Sequence, residues 1–224
     1  MVLTPLLAAL ANAPWTYTDL TVYGWTVKVE SSEITDPVWP SVQAQLNDQL
    51  YRISRVVPDG PLAKLRKITI WMHTDDPATP CAAYHPEAGW LKDHGADPQM
   101  AHGVEIANAE HFVSWTHEQP WMLLHELAHA YHANFLPDGF DNKEIKKVWD
   151  DEMASKKYDH VLHYDGKTVK HYAETNQMEF FSECTEAYFG QNDFYPFVNA
   201  ELKTFDPEAY KLMEDIWGKP VKRP

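Results

Sequence analysis

The chain is short of positive charge: 19 Lys and Arg stand against 33 Asp and Glu, for a formal net charge of -14. Without a basic face it cannot neutralise a run of phosphates, so a nucleic-acid partner is not expected. Cysteine is almost missing, with two residues in 224. That excludes a disulfide-built mini-protein, and Cys81 and Cys184 are left either to form one bridge or to stay as two thiols. No stretch approaches the roughly 20 consecutive apolar residues that cross a bilayer, so no membrane span is expected. Nine glycines exclude a collagen-like repeat. Neither an internal repeat nor a low-complexity linker is present. The composition that remains, 44% hydrophobic and 13% aromatic, suffices for a buried core. The length fits one large domain or two small ones, and the missing linker favours a single domain over residues 1–224, with a monomer expected.

Residues 2–13 (VLTPLLAALANA) resemble the apolar centre and small-residue cleavage end of an export signal, but no Lys or Arg precedes them and Pro14 follows. An apolar arm packed on the domain is the first reading, and a trimmed export signal the second. The location expected is secreted or extracytoplasmic, with the cytoplasm as the alternative.

Residues 19–30 alternate apolar and polar side chains, which predicts a strand or a hairpin bending near Gly24. Over residues 36–57 the apolar positions Val38, Val42, Leu46, Leu50, Ile53 and Val57 recur at helical spacing, stopped by Pro58-Asp-Gly. Residues 67–73 read as a strand, 75–103 as a long loop suited to shaping a site, and 104–107 as a short strand. Thr116 and Gln119 match a capping box ahead of an apolar helix over 121–135. A charged helix over 141–157, a hairpin over 161–172 turning at Asp165-Gly166, and helices over 176–189, 195–204 and 207–217 follow. Strands precede helices, so the class is α+β with a small sheet and a helix-rich C-terminal half.

The apolar helix carries His125-Glu126-Leu127-Ala128-His129. Residues four apart return to within about 40° of one direction, so both imidazoles project from one face and can share a tetrahedral ion. Glu126 lies beside them, placed to take a proton from water. Apolar flanks such as Leu123, Leu124 and Leu127 make uncompensated polar groups costly there, and a metal supplies the compensation. Zinc held by His125 and His129 is therefore expected. His132 and Phe135 occupy the places where a metzincin has Gly and His, which excludes that class. For a third ligand Asp138, Asp141 and Asp165 are candidates, but the stronger one is Glu179. It lies four residues before Glu183, so one carboxylate can face the metal while the next orients a ligand histidine. The alternative for Glu179 is a capping-box glutamate three residues after Asn176.

HELAH, followed some way on by Tyr172, six intervening residues and Glu179-Phe-Phe-Ser-Glu183, resembles the glutamate-zincins of the anthrax lethal factor and Pro-Pro endopeptidase type. The resemblance spans roughly residues 100–190. It implies a zincin-like domain built on the active-site HExxH helix and a zinc metallopeptidase acting on peptide or protein substrates. It further implies zinc bound by His125, His129 and Glu179, Glu126 as general base and Tyr172 as hydrogen-bond donor to the oxyanion. His160, His163 and His171 are rival donors. The strand over 104–107 is the expected partner of an extended substrate, unless it lies inside the sheet. Tyr84, His85, Trp90 and Trp115 are candidates for lining subsites. A zinc hydrolase of another amide or ester, or a binding module with structural zinc, are the competing functions.

Overall fold

The computed structural model describes residues 15–77, 79 and 81–223; the apolar segment over 2–13 lies outside them. Strands β1 (Tyr17–Val22) and β2 (Trp25–Glu30) pair antiparallel, with Val22 opposite Trp25. The two residues between them, Tyr23 and Gly24, both have positive φ (48° and 92°), the geometry a two-residue hairpin turn requires. Helix α1 (Trp39–Val56) buries Val42, Leu46, Leu50 and Ile53 as its spacing predicts. Pro58-Asp-Gly ends it but also starts α2 (Asp59–Leu65), which buries Leu62 and Leu65 and which the sequence reading took for a stop alone.

Strand β3 (Ile70–Met72) leads into the segment read as a long loop. It contains β4 (Ala82–Tyr84) and the short helix α3 (Ala88–Asp93) before β5 (Val104–Ile106). The sheet order is β1-β2-β3-β5-β4, parallel at β2/β3 and β3/β5 and antiparallel at its two ends. The fold is thus α+β with a mixed sheet. Of the two readings of the strand over 104–107 the internal one holds: β5 lies between β3 and β4, and among the described residues β4 is the edge strand on that side. Val104 and Ile106 point into the main core, while between them Glu105 points to the opposite face with Trp71. There Glu105 is fully buried and hydrogen-bonded to His73 Nδ1 and His85 Nε2, each at 2.7 Å. Burial pushes its carboxyl up, but those two bonds outweigh it and bring it to about 2. His85 follows β4, so the same carboxylate fastens the end of that strand to the sheet.

Helix α4 (Ala109–Trp115), capped by Asn108, precedes α5 (Met122–Phe135). Thr116 closes α4 and does not cap α5, because the main chain has already turned helical at Ala109. After α6 (Lys143–Ser155) come the hairpin strands β6 (Val161–Leu162) and β7 (Thr168–Val169), then α7 (Gln177–Phe189), α8 (Asn199–Phe205) and α9 (Pro207–Trp217). The main core joins the sheet side chains Val27, Ile70 and Ile106 to Leu124, Leu127 and Ala128 of α5 and to Phe180, Phe181 and Cys184 of α7. Helix α5 therefore has its apolar sides covered by the sheet and by α7, and its remaining stripe carries the two histidines. Cys81 and Cys184 are both free thiols. Among the described residues no helix is long and apolar enough to cross a membrane.

Candidate metal centre

His125 and His129, one turn apart on α5, bring their Nε2 atoms to 3.1 Å, with the rings 75° apart. Glu179 comes from the first turn of α7. Asn176 caps that helix, its side-chain oxygen accepting from the amides of Met178 and Glu179 at 2.8 and 2.9 Å. The Glu179 carboxylate does not return to the cap but turns to the imidazoles, with Oε2 3.1 Å from His125 Nε2 and 3.2 Å from His129 Nε2. Three ligands at about 2.0–2.2 Å from one tetrahedral ion stand roughly 3.3 Å from one another. The three donors here form nearly that triangle, so the residues present fit a zinc ion. Asp138, Asp141 and Asp165 belong to no group of potential ligand atoms within 4.8 Å of one another; the other such groups among the described residues are His73, Asp76 and Glu105, and His125, Glu183 and Glu186. Asp165 instead closes its hairpin, accepting from the Lys167 amide at 3.0 Å.

The electrostatics show what the triangle wants. Burial pulls His125 down, but hydrogen bonds to Glu179 and Glu186 and the charges of Glu186 and Glu183 push it well above its ordinary value. Burial acts upward on Glu179, and the two imidazoles nevertheless hold it well below the usual carboxylate range. Behind the ring, Glu186 Oε1 lies 2.8 Å from His125 Nδ1 and Glu183 Oε1 3.5 Å from it. Burial raises both carboxyls, that of Glu186 to about 7. Glu186 escaped the sequence reading, which stopped at the four-residue step from Glu179 to Glu183. Continuing the helical face by three more residues reaches it.

Glu126 lies beside the triangle, its Oε2 accepting from the backbone N–H of Tyr84 in β4 at 2.9 Å. Both face a cavity of about 410 Å³, lined also by His125, His129, Glu179 and Tyr172. Tyr172 begins a single 3₁₀ turn ahead of α7 and is 47% exposed. Partial burial and then the Glu179 charge raise its phenol, which stays protonated at neutral pH. Of the rival donors, His160 is exposed, His163 pairs with Asp165, and buried His171 accepts from the Ala173 amide; none lines the cavity. Tyr84 does line it, His85 and Trp90 line an adjoining hollow across β4, and Trp115 packs on the core.

No protein-family model matches the chain, and no curated protein matches it. Among solved structures it is similar to the PRO-PRO endopeptidase (PPEP-2) from Paenibacillus alvei, with 20% identity, 78% of this chain and 90% of that chain covered, and a TM-score of 0.44. A likeness at that level assigns neither a family nor an activity.

Proposed function

We propose that the protein is a zinc-dependent peptidase whose metal is held by His125, His129 and Glu179, with residues 1–224 forming one zincin-like catalytic domain. The observation that carries this reading is the near-equilateral triangle of Nε2, Nε2 and Oε2 atoms opening onto a cavity with an unligated carboxylate, Glu126, at its side. A structural zinc site is closed by four protein ligands, whereas three ligands facing open space leave room for solvent and substrate.

Zinc, when bound, acidifies water and polarises the substrate carbonyl. Glu126 takes the proton of the attacking water and returns it to the leaving amine. Its other partner, the Tyr84 amide, keeps one carboxylate oxygen turned away and the second free for this exchange. The Tyr172 hydroxyl donates to the carbonyl oxygen as negative charge gathers on it. Substrate pairs with β4. Cys81 O and His85 N bond to β5-side groups, so by the two-residue alternation Ala82 and Tyr84 turn their backbone groups outward. The Tyr84 N–H is taken by Glu126, which leaves the Ala82 N–H and C=O and the Tyr84 C=O for the substrate. The net charge of -14 favours neutral or basic peptides, and an extracytoplasmic site of action belongs to the same proposal.

A peptide library digested by the protein and read by mass spectrometry, beside a chelated sample, tests this reading. Cleavage that disappears on chelation and returns with zinc is expected. An intact library would leave only the ester and non-peptide amide substrates, or no catalysis.

A further inference from the structure

Helix α7 presents Glu179, Glu183 and Glu186 on one face, at steps of four and three residues. The last two lie behind His125, each only 2% exposed, yet they are not equivalent. Glu183 Oε2 accepts from Asn192 Nδ2 at 3.0 Å, and the same amide reaches the Glu183 backbone oxygen at 2.8 Å. That clamp turns its carboxylate toward the segment after α7 and leaves Oε1 3.5 Å from His125 Nδ1, at the outer limit of a hydrogen bond. Glu186 Oε1 sits at 2.8 Å from the same nitrogen. Among the described residues Glu186 Oε2 has no hydrogen-bond partner, so His125 is what accounts for a carboxylate at this depth.

We propose that Glu186, rather than Glu183, is the positioning residue that keeps the His125 hydrogen on Nδ1 and its Nε2 lone pair turned to the metal. The consequence for the metal rests on the function proposed above; the hydrogen bond does not. The ring stands between two carboxylates: Glu186 Oε1 lies 2.8 Å from Nδ1, while Nε2 faces Glu179 Oε2 and His129 Nε2, each at 3.1 Å. An acceptor fixed at Nδ1 orients the ring so that Nε2 stays in that triangle. Glu186 makes the shorter approach to Nδ1 of the two buried glutamates, and its burial excludes water as a substitute.

The test is the zinc dissociation constant, measured by chelator competition, together with the visible spectrum of the cobalt-substituted protein. Glu186→Ala is expected to weaken zinc about 10- to 100-fold and to alter the cobalt bands. Glu186→Gln, whose amide oxygen still accepts from Nδ1, restores both to near the parent values. Glu183→Ala weakens zinc less than Glu186→Ala and leaves the cobalt bands in place. If Glu186→Ala does not fold, Glu186→Met fills the same volume without the acceptor and carries the same expectation. Equal losses at the two positions, a larger loss at Glu183, or no rescue by glutamine would overturn the assignment. A parent protein that binds no zinc would instead sink the peptidase reading, which the competition assay registers separately.

Discussion

The backbone amide of Tyr84 and the carboxylate of Glu126 are joined by a 2.9 Å hydrogen bond that links strand β4 to helix α5. The Tyr84 hydroxyl adds a second tie, donating to Asn134 Oδ1 at 2.9 Å further along α5. Strand and carboxylate are therefore held together, and under the proposed function a peptide lying along β4 would meet Glu126 in one register.

Glu126→Gln separates acid–base chemistry from architecture. The amide oxygen still accepts from Tyr84, so the strand stays in place, but it no longer takes a proton. Turnover of a library-derived peptide should fall by about 100- to 10,000-fold while zinc content by elemental analysis is unchanged. Loss of zinc in this variant would make Glu126 a ligand and contradict its assigned role.

Tyr172→Phe removes one hydroxyl from a half-exposed ring, so neither folding nor zinc content should change. With the oxyanion donor gone, kcat should fall about 100-fold with KM little altered. A rise in KM alone would make Tyr172 a substrate-binding group.

His132 predicts acid sensitivity. It is fully buried between Phe140 and Phe181, with neither ring nitrogen hydrogen-bonded among the described residues. Burial and then the nearby His129 lower it to about 4 from 6.5. An unfolded chain thus binds a proton near pH 6.5 that the native chain refuses until near pH 4. Stability conferred by the neutral ring is complete above pH 6.5 and declines as pH falls through that window. From pH 7 to pH 5 its own contribution falls by about 2 kcal/mol. The raised His125, Glu183 and Glu186 act in the opposite sense over this window, so the measure is the difference between two proteins. Urea unfolding at both values should show His132→Phe losing about 2 kcal/mol less than the parent between pH 7 and pH 5. Equal losses in the two proteins would place the acid sensitivity elsewhere.

Gly190→Ala tests how closely α7 is fitted to α5. A Cβ there would enter the indole ring of Trp121, the residue that opens α5. Overpacking of this kind costs about 1–3 kcal/mol, and the melting temperature should drop by about 2–4 °C for each of them. An unaltered melting temperature would mean that Trp121 moves aside freely.

Much of the site was readable because its rules are local. The four-residue step from His125 to His129 needs only helix geometry, and the apolar flanks announced that the helix would be buried. Glu179 demanded more, since its approach to α5 is tertiary; the four-residue step to Glu183 beside Phe180 and Phe181 pointed to it, and so did the resemblance of that segment to the glutamate-zincins. Strand β4 was invisible: three residues, Ala-Ala-Tyr, carry no alternation, and their strand geometry comes from pairing with β5. The seven-residue helices α2 and α4 were missed for a similar reason, as each is too short to show a period and depends on the core for its stability.

Zinc-edge anomalous diffraction from crystals of the protein, purified without chelator, tests the central claim most directly. The account predicts a peak about 2.0–2.2 Å from His125 Nε2, His129 Nε2 and a Glu179 carboxylate oxygen. No peak at that point, or one among His73, Asp76 and Glu105 in its place, would contradict it.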